Sequence, residues 1–306
     1  MKAFFKYLIY PFEALLFSLV VLIGFLLPFS WGSAVGSFLV GSLGPLLSKK
    51  TQIAQQNFQL AGLKFTKDQQ DQIIKKMWQN LGRTFLEYVR LPYQSPFGKN
   101  SPYTVEGLDH LDALINDKKP GLLFSAHYGN WEVGTYVAQK RGLKTAQVTR
   151  FLNNPLTRFL VNTVQERVAR KVIPKGASGA KAIMKELKSG HHVSLLADQK
   201  MNDGLSAPFF GRDAMTASAL AKMALKFDCP ILPFQVIRID GIKCKVIYHP
   251  PLTIPKTGTN QEKTEALLKQ MNDHIESWVR EHPEQWFWVH RRWPKELYKN
   301  QKGNGE

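Results

Sequence analysis

The chain has 306 residues, 44% of them hydrophobic, and a formal net charge of +17 from 41 Lys and Arg against 24 Asp and Glu. That length and apolar content suit one large α/β domain with an attachment, or two average domains, and exclude disordered and collagen-like chains. The charge excess points to an anionic partner such as nucleic acid, a membrane surface or a phosphorylated substrate. The two cysteines, Cys229 and Cys244, supply neither a disulfide framework nor, unaided, a zinc site, so a reducing compartment and no metal are expected.

Residues 14–48 run for 35 positions without a formal charge and open on a nearly unbroken apolar stretch ending at Leu27. A bilayer span needs about 20 predominantly apolar residues, and residues 14–30 meet this marginally before Pro28 and Trp31 interrupt the pattern. Lys2 and Lys6 precede the run and Lys49 and Lys50 follow it. The positive-inside bias therefore puts both flanks on the cytoplasmic side, which a hairpin or shallow anchor satisfies better than a single span. A signal peptide cut after Ala34 is the alternative, but Glu13 breaks its basic n-region. The expected division is a membrane-anchoring segment over 1–48 and a water-soluble domain over 49–306. Within the latter we expect a helical lead-in at 51–92, an α/β core at 103–293 and a basic tail at 294–306.

Thr66 with Gln69 forms a capping-box pattern, and Ile73, Ile74, Met77, Trp78, Leu81, Phe85 and Val89 then recur on one helical face. This predicts a helix over 67–90 whose stripe is core. Farther on, short apolar runs at 121–126, 145–148, 193–197, 231–236 and 245–248 alternate with helical patterns, one starting near Trp131. The expected fold class is α/β, a sheet flanked by helices, carrying an N-terminal hydrophobic anchor. Pro250, Pro251, Pro255, Gly258 and Asn260 mark a loop before the last long helix, and residues 285–289 alternate like a strand. Trp278, Trp286, Trp288 and Trp293, set among His290, Arg291 and Arg292, suit a packed core and a bilayer interface equally.

The most informative short segment is Ser125-Ala-His-Tyr-Gly-Asn-Trp-Glu132. The apolar strand ends where His127 begins, Gly129 supplies a turn, and Asn130 is a good N-cap for a helix with Glu132 in its first turn. An imidazole and a carboxylate thus share a strand-to-helix corner, where open α/β sheets bind ligands. A neutral imidazole can take a proton from an alcohol, and a carboxylate can orient it and stabilise the resulting cation, a pair suited to acyl transfer onto a hydroxyl. A capping histidine and a dipole-complementing glutamate would give the same residues without chemistry. Asp198 follows another apolar strand and either holds a basic residue or caps a turn.

His127-Tyr-Gly-Asn-Trp-Glu132 resembles the H-x4-[D/E] motif of glycerolipid-type acyltransferases. Arg150 with Asn154-Pro155, Ile173-Pro174-Lys175, Asp198-Gln199, Pro208-Phe-Phe-Gly211 and the block from Pro283 to His290-Arg291-Arg292-Trp293 follow in the order seen in the late acyltransferases of lipid A biosynthesis. The resemblance runs from the apolar N-terminus to Trp293, and its closing block is more specific than the short motif. It implies an inner-membrane enzyme facing the cytoplasm that esterifies a hydroxyl of a phosphorylated lipid A precursor. The acyl chain would come from acyl carrier protein, with His127 as general base, Glu132 orienting it, and no cofactor or metal. It further implies an arginine and an aspartate in the site. Asp198 supplies the aspartate and spacing back from it selects Arg167, with Arg158 and Arg170 close by. Arg150, Asn154 and Gln199 complete the expected substrate-binding set.

Residues 140–190 contain 12 Lys and Arg and two acids, so a net +10 of the +17 is concentrated in 51 residues. A phosphorylated head group and an acidic carrier protein would both be drawn there, although a solvated basic helix face accounts for most of the lysines. No nucleic-acid-binding motif accompanies the charge. The chain lacks the G-x-S-x-G and G-x4-G-K-[S/T] patterns of serine hydrolases and P-loop enzymes, leaving direct acyl transfer without a covalent intermediate. The alternatives are transfer to another lipid or glycolipid and, in a different class, a non-catalytic basic membrane protein that recruits an acidic partner.

Overall fold

The computed structural model describes residues 2–299 of the chain. The N-terminal part is helical: α1 (Lys2–Leu26), α2 (Phe29–Leu43), α3 (Ser48–Leu60) and α4 (Lys67–Arg90). The capping box at Thr66 and Gln69 forms on both sides and starts α4 where the sequence predicts. Its stripe from Ile73 to Leu81 is core, but Phe85 is 57% exposed and Leu86 is buried in its place. The reason is that α4 has two partners. One face meets the sheet domain, while Gly82 meets Gly36 of α2 so closely that a Cβ on either would come within 2.2 Å of the other's carbonyl oxygen.

The α/β part follows as β1 (Tyr103–Glu106), α5 (Leu108–Asn116), β2 (Leu122–Ser125), α6 (Glu132–Arg141), β3 (Thr145–Thr149), α7 (Pro155–Val168), β4 (Lys171–Pro174), α8 (Ala177–Lys188) and β5 (His192–Leu196). A hairpin of β6 (Leu205–Phe209) and β7 (Arg212–Thr216) intervenes before α9 (Ala219–Phe227), β8 (Ile231–Asp240), β9 (Lys243–Tyr248), α10 (Asn260–Glu281) and α11 (Lys295–Lys299). Among the described residues, seven strands form one sheet in the order β1-β9-β8-β2-β5-β3-β4. The run β8-β2-β5-β3-β4 is parallel, and β9 joins it antiparallel through β8. The strands expected between residues 121 and 248 all appear. Sequence reading did not find β1, β4 or the hairpin, which are short, lie at an edge of the sheet or form a separate two-stranded unit.

Two expectations at the C-terminus change. Residues 285–289 are not a strand: a 3-10 turn over Pro283–Gln285 leads to a single bridge between Trp286 and Tyr128. The four tryptophans belong to the core, Trp288 and Trp293 being fully buried. Indole N–H groups in such a place need acceptors, and Trp288 donates to the Pro283 carbonyl at 2.7 Å and Trp293 to that of Phe209 at 3.3 Å. Arg292 is buried among them, donating to Thr216 and Asn272 at 2.8 and 3.0 Å. Burial lowers its pKa to about 10. Of the expected basic tail, 300–306 lies outside the described residues.

Candidate active site

The parallel pairing of β2 with β5 sets Leu122 opposite Val193 and Ser125 opposite Leu196. Carried two residues past the strand ends, that register puts His127 beside Asp198 at the carboxyl edge of the sheet. His127 Nδ1 lies 2.8 Å from Asp198 Oδ1. The carboxylate's Oδ2 accepts from the His127 backbone N–H at 3.0 Å and from the Trp286 indole N–H at 2.9 Å. An ionised carboxylate only accepts, so this network assigns the imidazole proton to Nδ1 and leaves a lone pair on Nε2. Burial of Asp198 favours its neutral form, but the charge of His127 and the hydrogen bonds from its ring, from Trp286 and from the backbone outweigh it. The carboxyl is held well below the usual range.

Gln199 Nε2 lies 3.4 Å from His127 Nε2 and 3.2 Å from His290 Nε2, so one amide bridges the two imidazoles. Burial first, then the positive side of His127 and the cations Lys50 and Lys175, push His290 down to about 4 against the pull of Asp198. His290 thus joins the cluster at His127, a neighbour that sequence reading did not single out. Its signal was present in the His290-Arg291-Arg292-Trp293 block, where the neighbouring Arg292 and Trp293 are structural.

Glu132, expected to orient His127, makes no hydrogen bond to it in this structure. In the first turn of α6 it points toward β3, where its two oxygens accept from Gln147 and from the Trp131 indole, each at 2.9 Å. The Trp131 ring is thereby held 5.2 Å from that of His127. Burial raises the Glu132 pKa against these hydrogen bonds and the charge of His127. Asn130 is likewise not a side-chain cap: its amide donates to Glu87 at 2.6 Å.

That bond belongs to a buried clamp on the corner after His127. Glu87 pairs with Arg238 at 2.7 Å and also accepts from Ser33 of α2 at 2.6 Å. Arg238 reaches Asn80 at 2.7 Å, and Asn80 donates to the Gly129 carbonyl at 2.9 Å. Gly129 has φ +55°, and a Cβ there would lie 1.8 Å from the Val236 carbonyl oxygen, so only glycine fits. Its N–H donates to the Gln285 carbonyl at 3.0 Å and so is not free to stabilise an oxyanion.

The remaining expected residues separate by the direction of their elements. Arg150 follows the carboxyl end of β3, is exposed and, among the described residues, makes no ion pair or side-chain hydrogen bond. Lys175 holds the equivalent place after β4, so both share the sheet edge of His127. Asn154 is structural. It caps α7 by accepting from Leu156 and Thr157, and it ties that helix to α1 by donating to the Tyr10 carbonyl at 2.9 Å. Arg167 is not brought to His127. Because β3 and β4 are parallel, α7 must return to the opposite edge, and Arg170 N already donates to the Thr145 carbonyl at the start of β3. The Arg167 guanidinium instead donates to the Tyr93 hydroxyl and lies 5.7 Å from that ring. Arg170 and Lys171 are held by Glu186.

A sheet with helices on its faces carries an imidazole-carboxylate pair at its carboxyl edge, and the comparisons with known proteins make the chain an O-acyltransferase. It belongs to the bacterial lipid A biosynthesis acyltransferase family, whose sequence model matches residues 1–295. It is 22% identical over 258 residues to a lipid A biosynthesis acyltransferase of Haemophilus influenzae, covering 82% of this chain and 79% of that one. To the lipid A biosynthesis palmitoleoyltransferase of Escherichia coli K12 it is 24% identical over 272 residues, covering 87% and 86%. A phosphatidylinositol mannoside acyltransferase of Mycobacterium tuberculosis is 24% identical over 226 residues, covering 72% of this chain and 69% of the relative. The non-catalytic alternative falls with these matches.

Proposed function

We propose that this enzyme transfers a fatty acyl chain from acyl carrier protein to a hydroxyl of a phosphorylated lipid A precursor, at the cytoplasmic face of the inner membrane. The observation that carries the mechanism is the 2.8 Å contact of His127 Nδ1 with Asp198 Oδ1, which directs Nε2 away from the carboxylate as the atom to act as base. His127 Nε2 takes the hydroxyl proton as that oxygen attacks the thioester carbonyl. The tetrahedral adduct collapses with loss of the C–S bond, and the proton passes from the imidazolium to the departing carrier thiolate. Asp198 stabilises the imidazolium between these steps. Glu132 supports the site by fixing Trp131 beside His127, and its own charge adds to the potential there. Arg150 and Lys175 are the candidates for gripping the acceptor's phosphate, since they share the edge of His127. Adjacent strands are about 4.8 Å apart, so Arg150, two strands away, is within reach of a head group held at Nε2.

The test is His127→Ala, assayed by carrier-thiol release from acyl carrier protein thioester with a lipid A precursor. A positioned general base contributes about 10² to 10⁴ in rate, and a loss on that scale from a folded protein is expected. Near wild-type turnover would remove the assignment. A second acceptor is favoured by the mycobacterial relative, whose name specifies a phosphatidylinositol mannoside. Offering that glycolipid in the same assay separates the two acceptors.

A further inference from the structure

The apolar N-terminal helices pack along the rest of the protein. Along α1 and the residue that follows it, Tyr10, Ala14, Phe17, Val21, Gly24 and Leu27 are buried or half-buried at three- and four-residue spacing, and most positions between them are exposed. A single stripe of α1 therefore lies against the protein for 14 residues or more, about 20 Å at 1.5 Å per residue. Both ends are fastened to the same domain. Asn154 at the start of α7 donates to Tyr10 O and to Glu13, at 2.9 and 3.2 Å. At the far end Arg90 of α4 donates to the Leu27 carbonyl, and Phe25 meets the Tyr93 ring at 5.8 Å. A helix crossing a bilayer to a domain outside it would be held at one end only. Standing α1 upright would draw α4 and α7, with Arg90, Arg158 and Arg167, to hydrocarbon depth, where isolated cations are costly.

The exposed apolar side chains agree with a flat arrangement. Among the described residues, every large one but Ile239 lies on α1, α2, the turn after α2, the end of α4 with Tyr93, or residues 152–159. Leu152 in the loop before α7, and Leu156 and Phe159 in its first two turns, are exposed, Phe159 at 72%. Arg150 and Arg158 sit among them as cations able to reach head groups. On α2 the glycine and serine face is spent on α4, which turns Trp31, Phe38 and Leu43 outward.

Resting on the membrane attachment proposed above, we propose that α1, α2 and the first half of α7 form one lipid-facing platform that inserts into a single leaflet, with α1 parallel to the bilayer plane. Lipid is the occupant because the patch is continuous with the one described helix apolar enough to cross a membrane and is rimmed by cations. Lys49 and Lys50, which follow the platform, fit the same leaflet. The arrangement bears on catalysis because α4 separates α2 from the Gly129 corner by one helix diameter, about 10 Å. The acceptor then reaches His127 sideways from the leaflet that holds the enzyme.

The test uses the full-length protein in anionic nanodiscs, with an environment-sensitive fluorophore on single cysteines at Leu16, Leu22, Leu26 and Phe159. Nitroxide lipids labelled at shallow or deep acyl positions serve as quenchers. The native Cys229 and Cys244 are buried, with thiols pushed up to about 12, and stay unlabelled. All four sites should lose fluorescence most strongly to the same shallow quencher. A depth gradient along α1 with Leu16 deepest, or an unquenched Phe159 site, overturns the platform. Absence of quenching at every site overturns membrane attachment itself and is distinguishable from both.

Discussion

Asp198→Asn is the most discriminating change, because the two carboxylate oxygens have different partners. Oδ2 accepts from the His127 backbone N–H and the Trp286 indole, whereas Oδ1 faces only His127 Nδ1. An asparagine keeps the first two bonds by placing its carbonyl where Oδ2 was. Its NH2 then points at Nδ1, and two donors cannot share a hydrogen bond. The ring must move its proton to Nε2, and the lone pair that should receive the hydroxyl proton disappears. In Ser-His-Asp enzymes the same enforced tautomer costs about 10⁴ in kcat, which corresponds to about 5.5 kcal/mol of transition-state stabilisation.

Stability should change less, by about 1 to 3 kcal/mol, since a charge-assisted bond is lost and the second N–H of the buried amide gains no partner. The assay is carrier-thiol release at saturating donor, with ¹⁵N spectra of the imidazole reporting which nitrogen holds the proton. Glu132→Gln is the paired control. Its amide still accepts one of the two bonds from Gln147 and Trp131, and it should lose about 10- to 100-fold, the worth of one or two hydrogen bonds. If Asp198→Asn keeps activity within tenfold while Glu132→Gln abolishes it, Glu132 is the orienting carboxylate and the dyad read from the geometry is wrong.

Further outcomes follow from other parts of the structure. His290 and His249 are each held down to about 4, so each binds its proton in the unfolded chain before the folded one. Each should therefore remove about 3 kcal/mol of stability as pH falls from 6.5 to 4. His290→Gln should abolish its own share of that slope in denaturation curves and leave that of His249; an unchanged slope would contradict it. Glu87→Ala strands Arg238 and frees Ser33 and Asn130, and should cost about 3 to 5 kcal/mol, seen as a large fall in Tm. Arg150→Lys should lose about tenfold in kcat/KM even at raised salt, because a lysine lacks the two-pronged grip on phosphate. Arg167→Lys should leave kcat/KM near wild type; the reverse pattern would return the phosphate role to Arg167.

What the sequence made legible was local. The capping box at Thr66, the strand entering His127 and the turn at Gly129 are decided by residues within a few positions of one another, and the structure contains all three. The helix stripe was misread only where α4 gains its second partner, since a helix between two layers has no single buried face and Phe85 and Leu86 exchange roles. The C-terminal tryptophans were ambiguous for a related reason. Composition cannot say whether an indole finds its acceptor in a head group or in a carbonyl such as that of Pro283.

The site was half legible by the same logic. His127 stands out because a strand ends on it, and Glu132 was preferred as its partner because it is five residues away. The true neighbour of His127 is set by strand order. β5 lies next to β2 although β3 and β4 come between them in sequence, and the offset of 71 residues that aligns Ser125 with Leu196 also aligns His127 with Asp198. Arg167 lies away from His127 for the complementary reason, since counting residues ignores direction. A helix linking two parallel strands must carry its last turn to the opposite edge, and that geometry moves the arginine away from the chemistry while leaving Arg150, at the end of β3, beside it.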